Sequence, residues 1–237
     1  MKTWTTKNGY SISQVLSGRV NSFILSNGNK NILVDTGRYN IKGELFSALN
    51  RLNISKIDLL ILTHTHFDHA ENAADVKNKF GSTVLAHKSE AKFLALGDSP
   101  LPKGSIWPTK LVMGAFAKSL QPHYKYKPVT ADISVEDKFD LSNWDFNAYI
   151  LPTPGHTPGS LSIIIDNEIA LVGDAMVGMF RGSVFSPFAD DIPGMVKSWK
   201  PLLDTNASLF IPAHGTANSR NLLIEEYDKY KKKFLDK

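Results

Sequence analysis

The 237-residue sequence predicts a mixed α/β domain made of two strand-and-helix halves. Three observations carry that reading. Short apolar runs bounded by turn residues open the chain, a strand–helix–strand succession follows, and a second set of such runs returns after a proline-rich middle. One chain-long domain, residues 1–237, accommodates both halves.

The first strands are expected at Ser11–Leu16 and at 22–25, and Asn27-Gly28-Asn29 is a hairpin signal leading into Asn31–Val34. Ile41, Leu45, Ala48, Leu49 and Leu52 recur at three- and four-residue spacing, which is one buried face of a helix. The continuous apolar run 57–63 (IDLLILT) reads as a strand covered on both faces. A helix over 70–79 ends at Gly81, and 82–86 reads as the next strand. Residues 88–130 hold Pro100, Pro102, Pro108, Pro122 and Pro128, so this stretch reads as an irregular, lid-like insertion with one short helix at 110–120. Strand runs return at 147–151, 160–165 and 169–172, with Asp166-Asn167 turning between the last two. A helix near 193–203, a short strand at 209–211 and a closing helix at 221–235 complete the pattern.

Composition narrows the chemistry. The chain has no cysteine, so it forms no disulfide, and any metal site is restricted to histidine nitrogen and carboxylate oxygen. The net charge of +4 is too modest, and the basic run at 229–233 too short, to mark a nucleic-acid binder; that run reads as a solvated helix face. The N-terminus has no apolar secretory core, and no stretch approaches the roughly 18 apolar residues of a membrane span. The expectation is a cytoplasmic protein acting on a small molecule, without nucleic-acid or membrane partners.

The strongest signal lies where the run 57–63 stops. His64, His66, Asp68 and His69 fall within six residues. Alternate side chains of an extended segment point the same way, so His64 and His66 can share one metal. Asp68 and His69 follow as the chain turns into a helix and can face a second. A lone histidine is ordinarily a core or surface residue, but four such groups at one strand end are not accounted for in that way. Three more candidates end apolar runs: His156 in the loop Pro154-Gly155-His156-Thr157-Pro158-Gly159, Asp174 after Gly173, and His214 before Gly215. Five histidines and two aspartates suffice for two metals with open positions.

In order and spacing these segments resemble the metallo-β-lactamase superfamily. The match runs through H-x-H-x-D-H at 64–69, P-G-H-T-P-G at 154–159, G-D at 173–174 and A-H-G at 213–215, with V-D-T-G at 34–37 also similar. The resemblance implies an α+β fold, a four-layer αββα sandwich with a dinuclear site at one edge. It implies one metal on His64, His66 and His156 and a second on Asp68, His69 and His214, with Asp174 bridging them. Asp35 would orient ligands without binding metal. Two divalent ions follow, zinc foremost, with iron or manganese as alternatives, and Asp68 would double as the catalytic group.

Two departures sharpen the subgroup. The common antibiotic-degrading enzymes of this superfamily carry a cysteine where Asp174 stands, and the flavin-linked di-iron oxygen reductases carry glutamate where His66 stands. Only 23 residues follow His214, which disfavours the glyoxalase type with its helical C-terminal domain. The expected activity is a hydrolase whose dinuclear-site hydroxide cleaves a small ester, lactone, thioester or related acyl compound. The alternatives are a mononuclear-iron oxidoreductase resembling persulfide dioxygenases, and phosphodiesterase or weak β-lactamase activity. Candidate substrate-binding residues are Phe116, His123 and Tyr124 in the insertion, with Met179, Phe180 and Arg181 after Asp174; Trp107 and Met113 would add to an apolar cover.

Overall fold

A computed structural model describes residues 1–120 and 124–236. Two sheets stack face to face. The first contains β1 (Thr3–Thr5), β2 (Ser11–Leu16), β3 (Ser22–Ser26), β4 (Asn31–Val34), β5 (Leu59–Ile61), β6 (Thr83–His87) and β7 (Ile133–Val135), side by side in chain order. Its first four strands form an antiparallel meander, and β4 to β7 run parallel. The second sheet contains β8 (Phe139–Asp140), β9 (Ala148–Pro152), β10 (Leu161–Ile165), β11 (Ile169–Gly173), β12 (Leu209–Pro212) and β13 (Asn218–Ser219), in the order β13-β12-β11-β10-β9-β8. Only β11 and β12 are parallel in it.

Among the described residues, seven α-helices cover the outer faces or connect the strands: α1 (Lys42–Arg51), α2 (Phe67–Ala70), α3 (Ala73–Phe80), α4 (Lys88–Leu96), α5 (Trp107–Leu120), α6 (Ile192–Asp204) and α7 (Arg220–Phe234). The strand period of two assigns each apolar run to two layers at once. Ile32, Val34, Leu59, Ile61, Ile163 and Ile165 fill the space between the sheets. Their neighbours Leu33, Leu60 and Leu62 turn outward onto Leu45, Leu49 and Val76 of α1 and α3. On the opposite side Ile164 and Val172 meet Met195, Trp199 and Leu202 of α6 and Leu223 of α7. Runs buried on both faces are therefore apolar without alternation, and the four-layer αββα sandwich is what the sequence led us to expect.

Element boundaries moved in places. The run 57–63 forms a strand only at Leu59–Ile61, because its last residues leave the sheet to build the loop that carries His64. The helix expected from residue 70 begins at Ala73, after the separate turn of α2. Within 88–130 the structure has more regular helix than the prolines suggested. Residues Lys88–Leu96 form α4, and α5 starts at Trp107 with Pro108 in its first turn, where a missing N–H breaks no intrahelical bond. The short strands β1, β7 and β8 carry no strong sequence pattern and exist through pairing with longer neighbours. Among the described residues, no helix is long and apolar enough to cross a membrane.

Candidate metal centre

The C-terminal ends of β4, β5, β11 and β12 meet at one edge of the sandwich. Each delivers a polar side chain there: Asp35 follows β4, His64 and His66 follow β5, Asp174 follows β11 and His214 follows β12. The short α2 adds Asp68 and His69, and the loop between β9 and β10 adds His156. All seven candidate ligands converge. Their donor atoms form three overlapping groups, each within 4.8 Å: His64, His66 and His156; His64, His69 and Asp174; and Asp68, His69 and His214.

The contacts in detail show two compartments. Nε2 of His64 and Nε2 of His156 each lie 3.0 Å from Nδ1 of His66. Asp174 sits between this trio and the others: its Oδ2 is 3.4 Å from Nε2 of both His156 and His214, and its Oδ1 is 3.7 Å from Nε2 of His69. Asp68 reaches His69 at 3.8 Å and His214 at 3.4 Å.

The far nitrogens of the rings are anchored, which decides what the near ones present. His156 Nδ1–H donates to the Phe188 carbonyl at 2.9 Å, and His214 Nδ1–H to the Arg19 carbonyl at 2.5 Å. His69 Nδ1–H donates to Asp35 Oδ2 at 2.9 Å. The Thr63 hydroxyl donates to the same oxygen at 2.8 Å, so it receives the Nδ1–H of His64 at 3.2 Å. In each neutral ring Nε2 is left with its lone pair aimed at the common centre. Nε2 of His69 and Oδ1 of Asp174 are buried with no hydrogen-bond partner among the described residues. A buried polar atom without a partner costs about 1–3 kcal/mol, and two facing each other at 3.7 Å mark a point where a ligand would satisfy both. A cation fits: the donors are nitrogen and carboxylate oxygen, and they face one another.

Electrostatics separates the compartments further. Burial, and then the neighbouring imidazoles, push His64 well below the ordinary histidine value and His66 down to about 3. Both rings are therefore neutral at physiological pH, the form that binds metal. His69 is buried too, but Asp35, Asp68 and Asp174 outweigh burial and hold it up at about 9. His214 is raised in the same way by Asp174 and Asp68. Burial acts to raise Asp68 and Asp174 as well, yet the facing His69, His156 and His214 keep the two carboxylates below their usual range.

A supporting layer holds these groups in place. Asp35 is 2% exposed and takes a left-handed φ of 59°, a conformation kept by the surrounding structure rather than preferred by the residue. Its Oδ1 accepts from the Thr63 backbone N–H at 2.8 Å while Oδ2 serves His69 and Thr63, so one carboxylate orients His69 directly and His64 through a hydroxyl. Glu90, which sequence reasoning missed, acts from α4. It accepts from the Thr65 backbone N–H and hydroxyl at 3.1 and 2.5 Å and from the Gly159 N–H at 3.2 Å, tying the His64–His66 loop to the His156 loop. No motif surrounds Glu90, so only the fold reveals it.

The His156 loop is also seated on α6. Asp191 N–H donates to the Gly155 carbonyl at 2.9 Å and Ser198 Oγ to the Pro154 carbonyl at 2.6 Å. Gly155 has φ 134°, and a Cβ there would fall 2.1 Å from the Met195 nitrogen. Gly155→Ala is therefore expected to lower stability by about 2 kcal/mol or more and to reduce metal uptake by displacing His156. Thermal melting and elemental analysis check this; an unchanged melting temperature contradicts it.

The family model of the metallo-beta-lactamase superfamily matches residues 17–214. This chain belongs to that superfamily. A protein of Methanocaldococcus jannaschii named "Probable metallo-hydrolase" is 29% identical over 218 residues, covering 90% of this chain and 93% of that one. A "Beta-lactamase-like protein 2 homolog" of Caenorhabditis elegans is 27% identical over 214 residues, 89% of this chain but 60% of the relative. Among solved structures, the archaeal superfamily protein from Sulfolobus tokodaii superposes with a TM-score of 0.64 at 19% identity, covering 92% of this chain and 85% of its own. The Rm3 metallo-beta-lactamase gives a TM-score of 0.66 at 18% identity, covering 96% and 91%. At such identity the structures establish the fold, and the sequence relatives identify a metallo-hydrolase.

In this superfamily member the metal-facing groups open onto a cleft of about 270 Å³. His66, Asp68, His156, Asp174 and His214 form its floor, while Pro102, Met113, Tyr124, Met179 and Phe188 are among its walls. Tyr124 stacks on Phe67 at 4.2 Å, and the Arg38 guanidinium lies 4.6 Å from the centroid of the same Phe67 ring. Of the candidate substrate residues, Tyr124 and Met179 line the cleft. Phe116, Phe180 and Arg181 are exposed and lie outside its lining, and His123 falls outside the described residues. Pro102 and Phe188 were missed, because apolar residues in unrelated loops carry no signal before those loops are brought together. His87 caps α4: its Nδ1 accepts from the Ser89 N–H at 3.1 Å.

Proposed function

We propose that this metallo-hydrolase binds two divalent ions, zinc foremost, and cleaves a small ester, lactone, thioester or related acyl compound. The observation that carries the reading is the pair of unpartnered buried atoms, His69 Nε2 and Asp174 Oδ1, at the meeting point of the two compartments. His64, His66 and His156 would hold one ion, Asp68, His69 and His214 the other, and Asp174, in contact with both sets, would serve the two together. When bound, such ions bring the pKa of water down to about 7 and polarise a substrate carbonyl.

The chain's own residues supply the remainder. Asp68 is ionised at neutral pH, opens onto the cleft and contacts His214, so it can orient an attacking water and hold the proton that water releases. Asp35 and Glu90 keep the rings in register during turnover. The walls formed by Pro102, Met113, Met179 and Phe188 favour an apolar acyl group over a charged one.

Purified protein is expected to carry about two metals per chain and to lose hydrolysis of esters or lactones on chelation. Chelator-resistant hydrolysis overturns the proposal. A single iron with oxygen uptake on a persulfide would replace it with the oxidoreductase reading, and turnover confined to phosphodiesters would reassign the bond.

Proton release gives a separate check. With His69 held at about 9 and His214 raised in the same direction, protons compete with metal for both rings. Metal must displace those protons, so affinity should rise with pH through neutrality. Calorimetric titration in buffers of different ionisation enthalpy should register net proton release on metal binding at pH 7. Uptake without proton release contradicts the assignment of these two rings as ligands.

A further inference from the structure

The helix α5 is inverted relative to an ordinary surface helix. Trp107, Leu111, Val112 and Phe116 are 75, 59, 50 and 57% exposed. At about 100° per residue these four, with Pro108 and Ala115 between them, occupy roughly half of the helix circumference, whereas Thr109 and Met113 turn inward. Met179 and Phe180 add a second exposed apolar pair, at 48 and 49%. Met113 and Met179 both line the metal cleft, so the apolar surface is continuous with its mouth. Scattered exposed apolar residues are ordinary; a helix face and a loop tip arranged around a cleft mark an interaction surface.

Charge selects the partner. Residues 99–131 contain no aspartate or glutamate but hold Lys103, Lys110, Lys118, Lys125 and Lys127, five positive charges in a chain whose net charge is +4. Of these, Lys103 and Lys110 line a shallow groove together with Met113 and Gly114 of α5, and the Lys103 side chain, 71% exposed, makes a long contact of 3.9 Å with Asp190. A second copy docked face to face about a twofold axis would set these lysines against one another. An anionic lipid surface satisfies both features, taking the apolar side chains into its interface and the ammonium groups among its phosphates.

We propose that α5 and the 179–180 loop tip form an adsorption surface for anionic phospholipid bilayers, which sets the mouth of the metal cleft against the membrane. The lack of a spanning helix is no obstacle, since adsorption requires only an interfacial face. The proposal stands apart from the identity of the substrate, because its readout is binding.

The full chain is mixed with vesicles of phosphatidylcholine alone or of phosphatidylcholine with phosphatidylglycerol, and bound protein is measured by flotation. Partition into the anionic vesicles is expected to be at least about tenfold stronger and to fall as salt screens the lysines. Leu111→Glu/Val112→Glu changes two exposed residues and should abolish partition while metal content and melting temperature stay as in the wild type. A charge reversal, Lys103→Glu/Lys110→Glu, provides an independent variant with the same expected loss. Equal partition into both vesicle types, or undiminished binding by both double variants, overturns the proposal. So does a solution dimer that Leu111→Glu/Val112→Glu dissociates without any vesicle binding by the wild type; the face would then be an interface between copies.

Discussion

Asp174→Asn should lose more than about 100-fold in kcat/KM on any acyl substrate the wild type hydrolyses. That figure is the upper end of what removing a residue behind a ligand costs, and Asp174 faces the centre itself. Its carboxylate lies within 3.7 Å of ring nitrogens on His69, His156 and His214, which no other side chain among the described residues does. Asparagine preserves the volume but removes the negative charge that would offset the proposed cations. It also presents an N–H₂ group, which cannot bind metal, on one side. The metal content is expected to fall below two per chain, by elemental analysis after gel filtration, while circular dichroism still reports a folded protein. In the metal-free state His69 should also titrate lower than in the wild type, because one of the three carboxylates raising it has gone. Full metal occupancy with unchanged turnover would leave Asp174 a bystander.

A change at Asp35 is expected to act on both stability and activity. Three buried donors converge on its carboxylate: the Thr63 backbone N–H, the Thr63 hydroxyl and His69 Nδ1–H, at 2.8, 2.8 and 2.9 Å. Asp35→Ala strands all three, at about 1–3 kcal/mol each, and places alanine in the left-handed region. Against a total stability of about 5–15 kcal/mol, that variant is expected to be recovered largely unfolded. Asp35→Asn isolates the chemical effect, since asparagine tolerates the positive φ of 59°. It can keep one acceptor for Thr63 but opposes an N–H₂ group to the remaining donors. A loss of about 2–4 kcal/mol is expected, which for a chain of this size lowers the melting temperature by roughly 5–15 °C. Metal affinity should drop about 10- to 100-fold, because His64 and His69 lose the group that fixes their tautomers. A melting temperature within a degree of wild type would show that Asp35 is not the keystone of this layer.

Much of this was legible beforehand for a definite reason. Residues 59–62 and the isoleucines at 163–165 are apolar at consecutive positions, as a strand covered on both faces requires, and the structure buries each of them in the core on one side of its sheet or the other. The ligand types were legible too, because H-x-H-x-D-H concentrates four donors in six residues and extended backbone alternates their directions. Where expectation and structure parted, the deciding contacts were distant in sequence. Residues 88–130 read as irregular because prolines break local periodicity, yet α4 forms there and supplies Glu90, whose partner Gly159 is 69 residues away. The cleft walls bring Pro102 beside Phe188, two residues whose neighbours in sequence announce nothing.

The sequence by itself determined the layers, through the period of its apolar residues, and the chemical nature of the site, through a donor set with five ring-bearing and two carboxylate candidates and no thiol. Only the tertiary structure decided which hydrogen bonds anchor each ring and how burial and charge shift the ring titrations. It alone places Asp35 behind His64 and His69, and turns the apolar half of α5 toward solvent beside the cleft. The reason is physical. Periodicity and residue chemistry are properties of a few adjacent residues. Burial, tautomer and charge are set by whatever the folded chain brings within a few ångströms, and here those neighbours come from the ends of four separate strands.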